Sequence, residues 1–272
     1  MDRSTIEVRN LATPAELQAC VDLQHETWGR DFSDVVPASI LKVSQRVGGV
    51  SAGAFDAEDT LVGFVFGLTG VERGAIVHWS DMLAVRPGAR NLGVGRLLKE
   101  HQRRTVRALG GKVVYWTYDP LVARNAHLNF NRLGVRLAEY VENMYGVTDS
   151  ILHGGLPTDR LVVAWPTDDG EMAECLSRSE RALASADCRA APLITDEWME
   201  GAHEMAALPP CVRVEVPADI EGLIAATPKV AAEWRRRVRR ALQWALHSGY
   251  EMSAFSLDAG NGRGYYLMTI AT

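Results

Sequence analysis

The chain has 272 residues and is 47% hydrophobic, enough to bury one large core, or a medium core with a smaller satellite. Its 29 basic and 34 acidic residues leave a charge of -5, which argues against the broad positive surface that nucleic acid or an anionic membrane requires. The N-terminus has no basic region leading into an apolar run, and no stretch approaches the ~18 apolar residues of a membrane span, so a cytoplasmic protein is expected.

In chain order, Ile6 to Leu11 reads as a strand. Thr13-Pro14-Ala15-Glu16 then opens a helix with a Thr cap, Pro at its first position and Glu16 in the capping-box place, with Leu17, Cys20, Val21 and Gln24 facing inward. A second helix is expected from Pro37 to Gln45. Val50 to Asp56 and Leu61 to Thr69 follow as a hairpin turning at Ala57-Glu58-Asp59, and Ala75 to Val85 as another strand.

Next come a glycine loop, a helix from about Gly95 to Leu109 ended by Gly110-Gly111, and the strand Val113 to Tyr118. A shorter helix over Asn125 to Leu133, stopped by Gly134, precedes the strands Leu137 to Tyr145 and Arg160 to Trp165. The polar break Thr167-Asp168-Asp169-Gly170 suggests a boundary, dividing 1–167 from 168–272. Behind it lies an Ala-, Ser- and charge-rich surface helix or linker. The strand Val212 to Val216, a helix from Pro228 to His247, and strands Tyr250 to Leu257 and Gly264 to Ile270 complete the chain.

The four cysteines, Cys20, Cys175, Cys188 and Cys211, form no CxxC pair and have no histidine at metal-finger spacing, so they read as buried free thiols and no metal is expected. In the last long helix, Val230, Trp234, Val238, Ala241, Leu242 and Ala245 form an apolar stripe. Most of the arginines in the run Arg235-Arg236-Arg237-Val238-Arg239-Arg240 are then its solvated face.

Arg90-Asn91-Leu92-Gly93-Val94-Gly95 is the most informative segment. Amides at a helix N-terminus have no intrahelical partner, the helix dipole adds positive potential there, and Gly93 and Gly95 remove side chains that would block phosphate oxygens. Arg90 and Arg96 add charge. A Walker loop is excluded because Gly111-Lys112 runs into Val113, and a dinucleotide fingerprint lacks its third glycine near Leu98. The remaining pattern, Arg/Gln-x-x-Gly-x-Gly, matches Arg90 to Gly95.

Preceded by Met82-Leu83-Ala84-Val85 and followed by helix, strand and helix, this loop resembles that of the GNAT superfamily of acyl-CoA N-acyltransferases over about residues 5 to 165. His78, Val85-Arg86-Pro87, Trp116-Thr117-Tyr118-Asp119-Pro120-Leu121, Arg124-Asn125-Ala126, Tyr145-Gly146, Leu156-Pro157-Thr158-Asp159-Arg160 and Trp165 look like a bacterial GNAT subfamily with an extra C-terminal section. The implied fold is α/β, a mixed, mostly antiparallel sheet flanked by helices, with a smaller C-terminal α+β section. The implied co-substrate is acetyl-CoA or another acyl-CoA; some similar proteins are associated with succinyl transfer from succinyl-CoA to amino acids.

The resemblance further implies that pantetheine lies in a slot beside the strand ending at Val85. Leu83 and Val85 offer main-chain bonds there, an N–H near Leu83 or Ala84 polarises the thioester, and Asn125 contributes to the coenzyme site. Strand alternation places Trp79, Asp81, Leu83 and Val85 on one face and His78, Ser80, Met82 and Ala84 on the other. Asp81 is the nearest equivalent of the superfamily's base, with His78 as the alternative. Each also has a plain structural reading, Asp81 as a strand-edge charge and His78 as a half-buried strand residue.

Phe130 stands where the superfamily places a proton-donating Tyr. The thiolate therefore leaves through water, or Tyr118, Tyr115 or His127 substitutes. Trp116 reads as core, and Tyr145 as core or acceptor pocket. Arg160 is either a clamp for a substrate carboxylate or an ion-pair partner of Asp159 or Asp119. The acceptor is expected to be a small-molecule amine, with no nucleic acid or membrane partner. The C-terminal section could complete the acceptor pocket or a homodimer contact. An acyl-CoA-binding module and a protein-lysine acetyltransferase are the alternatives.

Overall fold

The computed structural model describes residues 6–146, 155–202, 207–258 and 260–270. They fall into two compact units. The first holds the described residues up to Trp116 together with Pro166–Asp168, and the second holds the remainder. The units divide after Trp116, and the polar break at Thr167–Gly170 is the join between a strand and a helix.

The first unit begins with β1 (Glu7–Asn10), α1 (Pro14–Trp28), α2 (Ala38–Arg46) and β2 (Val50–Phe55). The predicted capping box is present: Glu16 N–H donates to Thr13 Oγ1, and the Glu16 carboxylate accepts from Thr13 N–H, both at 3.2 Å. Helix α1 buries Leu17, Cys20 and Leu23 in a cluster with Leu11, Phe64, Phe66 and Met82. Gln24, on the same face, exchanges two bonds with the Val36 main chain, at 2.8 and 3.1 Å, and so ties the α1–α2 loop to the core.

Strand β3 (Leu61–Glu72) runs three residues longer than predicted and forms a second hairpin with β4 (Ala75–Val85). Its turn is Arg73-Gly74, with φ of 49° and 80°, the left-handed pair whose twist suits a two-residue hairpin, so pairing runs on past Thr69 to Glu72. A 3-10 turn (Pro87–Ala89) leads to α3 (Val94–Ala108), and β5 (Val113–Tyr118) returns parallel to β4.

The second unit contains α4 (Ala123–Ala126), which runs into a π-helical turn (His127–Leu133) closed by Gly134 at φ 69°, then β6 (Arg136–Val141) and β7 (Arg160–Pro166). The strand expected to reach Tyr145 stops at Val141. Asn143 N–H bonds the Asp159 carboxylate and the Asn143 side chain accepts from Thr158 N–H, both at 3.1 Å, so side chains replace the ladder.

Helix α5 (Asp169–Ala184) buries Cys175, Ser179 and Ala182, and is followed by α6 (Ala186–Ala190), α7 (Asp196–Ala202), β8 (Cys211–Pro217), α8 (Ile220–Ala226), α9 (Pro228–His247), β9 (Tyr250–Asp258) and β10 (Arg263–Ile270). Asn131 donates to the Phe255 carbonyl at 2.6 Å and accepts from its N–H at 3.0 Å, serving β9 as a neighbouring strand would.

Two expectations are corrected here. Cys188 and Cys211 are not free thiols: they form a disulfide, with Cα atoms 5.4 Å apart, while Cys20 and Cys175 are free and buried. The pairing depends on α6 packing against β8 beside Ala191 and Leu267, a contact that spacing along the chain does not reveal. On α9, Arg235 is buried and Val230 is 45% exposed. Val230 therefore falls outside the buried stripe, while Arg236, Arg237 and Arg240 are exposed as expected of most of the run, and Arg235 turns inward to Asp119.

By hydrogen bonding, the strands order β1-β2-β3-β4-β5-β7-β6 in a seven-stranded, mostly antiparallel sheet and β8-β10-β9 in a three-stranded one. This is the mixed sheet, with a smaller α+β section, that the sequence predicts. Among the described residues, no helix is long and apolar enough to cross a membrane.

Candidate active site

Strand β4 carries the site. Its ladder with β5 covers only Val77–Val113, His78–Val114 and Trp79–Tyr115, and β4 then continues to Val85, so the two strands part like a fork. Arg86 N–H donates to the Val62 carbonyl of the preceding strand segment. By the two-residue period, Ala84 also faces β3, while the main-chain groups of Leu83 and Val85 point to the open side. Leu83 and Val85 therefore lie with their main-chain groups turned away from β3, and the Val85 carbonyl accepts from Arg90. Ala84 does the opposite: its main chain serves β3 and its side chain is buried.

The β3–β4 register steps from Phe66–Met82 to Gly67–Ser80, leaving Asp81 as the extra residue of a bulge. A bulge bends the strand and re-aims the side chain. Asp81 is exposed, between the buried Ser80 and Met82. Its carboxyl is raised above the ordinary range, first by desolvation and then by the Asp34 carboxylate on the α1–α2 loop.

His78 has a different fate. It is fully buried, with Nδ1 2.9 Å from Thr69 Oγ1 and Nε2 2.9 Å from Gln102 Nε2. Thr69 donates to the Gly48 carbonyl at 2.6 Å, so its oxygen accepts from Nδ1–H and the Gln102 amide donates to Nε2. Burial first, and Lys99 second, lower the ring to about 4, so it is neutral near pH 7. Gly67 makes room for this cluster, because a Cβ there would lie 2.3 Å from His78 Nε2. The geometry makes His78 a core residue.

Beyond Val85 the chain forms the loop expected to cradle a pyrophosphate. Asn91 and Gly93 have φ of 64° and 78°, and Gly93 caps α3 without a side-chain bond. The first intrahelical bond runs from Leu97 N–H to the Gly93 carbonyl, so the amides of Val94, Gly95 and Arg96 precede the ladder. At Gly95 a Cβ would meet only Leu83 Cδ2, at 3.7 Å, so internal packing does not require glycine. A group approaching from outside would. Leu92 is half-buried, and Arg90 reaches back to the Val85 carbonyl at 3.3 Å. Arg96 pairs with Glu100 at 2.7 Å.

Lys99, one turn deeper in α3, is a residue that the sequence reading passed over. It is 6% exposed, donates to Ser80 Oγ at 2.7 Å and lies 3.8 Å from the centre of the Trp116 ring. Burial holds its amine well below the ordinary lysine range. A signal was present in the sequence: Lys99, Gln102 and Val106 share one helical face, so two polar residues stand on the buried stripe.

The second unit holds the other predicted residues. Tyr118 is buried, with its hydroxyl 3.3 Å from that of Tyr266, which donates to the Pro120 carbonyl at 2.7 Å. Desolvation raises the Tyr118 phenol, which keeps its proton. Phe130 stacks edge-on against Tyr266 in the same core. Asn125 is half-buried on α4.

Tyr145 is 47% exposed, and its hydroxyl lies 3.1 Å from Thr117 Oγ1. Arg160 sits beneath the Tyr145 ring at 5.4 Å, donates to the Asp159 carbonyl at 3.0 Å and lies 3.8 Å from Asp119. The ion-pair alternative for Arg160 is therefore the one observed. Asp119 is also gripped by Arg235, at 2.9 Å through Nη1, and Asp159 by Arg239 and Tyr140, at 2.9 and 2.7 Å.

No protein-family profile matches the chain, and no curated protein does. Solved structures are similar to it. A NatC complex bound to Gag peptide and CoA shares 13% identity over 61% of this chain and 99% of its own, with a TM-score of 0.49. The ribosomal-protein-S18-alanine N-acetyltransferase of Escherichia coli shares 19% over 60% and 94%, at 0.45. A GNAT-family acetyltransferase of Streptococcus pneumoniae shares 15% over 59% and 99%, at 0.47. At these values the likeness carries no argument about chemistry, which rests on the geometry of the chain itself.

Proposed function

We propose that this protein is a GNAT-type N-acyltransferase that moves an acyl group from acyl-CoA to the amine of a small molecule by direct attack in a ternary complex. The observation that carries the reading is the β4 fork beside the α3 cradle. Outward main-chain groups at Leu83 and Val85 stand next to free helix amides and a glycine that internal packing does not need. A pyrophosphate suits the amides of Val94, Gly95 and Arg96, and a pantetheine arm, itself an amide chain, suits an open strand edge.

The amine nitrogen attacks the thioester carbonyl, a C–N bond forms and the C–S bond breaks. Leu83 N–H is the donor available to the developing oxyanion. Asp81 takes the proton of the attacking amine: it is exposed, re-aimed by the bulge, and its raised carboxyl suits a base working nearer neutrality than an ordinary aspartate. Since Tyr118 is bonded within the core, the thiolate takes its proton from water.

The test is calorimetric titration with CoA, acetyl-CoA and succinyl-CoA, then CoA release with each bound thioester over a panel of small amines. Binding followed by amine-dependent release is the expected outcome. Absence of binding removes the reading, and binding without amine-dependent release leaves an acyl-CoA-binding module.

A further inference from the structure

The point where β4 and β5 part is held from a third element. The last paired residues are Trp79 and Tyr115, and the first residues beyond them are Ser80 on β4 and Trp116 on β5. Lys99 of α3 touches both, with Nζ 2.7 Å from Ser80 Oγ and 3.8 Å from the Trp116 ring centre. All three side chains are buried, at 4 to 6% exposure. Among the described residues, no carboxylate pairs with Lys99.

An amine buried against one hydroxyl and one aromatic face is a costly choice for a core position. A methionine would fill a similar volume with no polar group to satisfy. Lys99 also lies on the helix whose first turn forms the cradle, five residues beyond Val94, or roughly 8 Å along the axis. One side chain thus links the mouth of the fork to the helix that presents the free amides.

Resting on the acyltransferase reading above, we infer that Lys99 is a positioning residue for acyl-CoA. By holding Ser80 and Trp116 to α3, it sets the opening of the fork relative to the α3 N-terminus, so that the strand edge and the cradle engage the two ends of one pantetheine arm together. It touches neither the thioester nor the amine.

The experiment is Lys99→Met in the full chain, read by thermal melting, by calorimetric titration with the thioester that the wild type binds, and by steady-state kinetics. The expected result is a melting temperature equal to or above that of the wild type, with acyl-CoA affinity about tenfold lower, since a misplaced strand edge forfeits main-chain bonds. The KM for acyl-CoA rises while that for the amine is unchanged. A purely structural lysine gives the opposite pattern, altered melting with unaltered acyl-CoA affinity, and that result overturns the inference.

Ser80→Ala removes only the hydroxyl partner and serves if Lys99→Met does not fold. It is expected to weaken acyl-CoA binding several-fold, and to add nothing further in the double variant because the two residues act as one unit. Unchanged binding in Ser80→Ala overturns the inference as well. Failure of the wild type to bind any thioester defeats the acyltransferase reading itself and the inference with it, whereas wild-type binding with unaffected variants defeats the inference alone.

Discussion

Gln102 Nε2 lies 2.9 Å from His78 Nε2, and this contact fixes the imidazole as the neutral tautomer that carries its proton on Nδ1. In the unfolded chain the ring titrates at its ordinary value near 6.5, whereas in the fold it is lowered to about 4. Between these values the unfolded state binds the extra proton, so stability falls as pH drops from about 6.5 towards 4 and is complete above 6.5. The contribution at stake is up to about 3 kcal/mol. His78→Gln is less stable than the wild type at pH 7, and urea melts at pH 7 and pH 5 should show the gap narrowing. A gap that is constant or widens on acidification refutes the assignment.

Gly95→Ala separates the two demands on the cradle. A Cβ at this position meets nothing closer than 3.7 Å. Alanine is the better helix former by roughly 0.5–1 kcal/mol, so the variant is expected to melt higher. Its methyl group stands where phosphate oxygens would approach the amides, and acyl-CoA affinity should fall about tenfold. Calorimetry and melting on one preparation test both halves, and unaltered affinity would remove the cradle from the coenzyme site.

Asp81→Asn should lower kcat by about 10²-fold or more, in keeping with loss of a general base, with little change in acyl-CoA binding. For the wild type, kcat should rise with pH through an apparent pKa above that of an ordinary aspartate, because desolvation and Asp34 raise this carboxyl. A raised carboxyl favours the fold only while protonated, and that advantage is lost as pH climbs through the folded value. At pH 7 the asparagine variant should therefore melt slightly above the wild type. Full activity in Asp81→Asn would falsify its role as base.

The Cys188–Cys211 bond closes a loop with a sequence separation of 23 residues. Chain entropy assigns such a loop about 3 kcal/mol, and Cys188→Ser should lose that amount in a denaturant melt under oxidising conditions. Under reducing conditions the difference should largely vanish. In denaturant without reductant, thiol titration should report only Cys20 and Cys175, and all four cysteines after reduction. Four thiols before reduction would show the pair to be open.

Local physics was legible without the fold. Thr13 and Glu16 are three residues apart and satisfy each other's main chain within one helical turn, so the capping box could be read directly. The alternation of β4 could also be read, since neighbouring side chains on a strand must take opposite faces, as could the start of α3, since Gly93 and Gly95 sit where the chain passes into helix. These features depend on residues close in the chain. The same holds for the apolar stripe of α9, where Trp234, Val238, Ala241, Leu242 and Ala245 are buried as the helical period requires.

What only the tertiary structure decided is which polar residues go inside and with whom. His78 is a core residue because Gln102, 24 positions away, and Thr69 satisfy both ring nitrogens and Gly67 leaves the space. Arg235 leaves the solvated face of its helix for Asp119, 116 positions earlier, and Cys188 finds Cys211 across α6 and β8. Lys99 enters the core because Ser80 and Trp116 arrive there from two diverging strands. Burying a polar group is tolerated only where the fold supplies its partner. Those partners lie far apart along the chain, beyond the reach of any periodicity or local spacing.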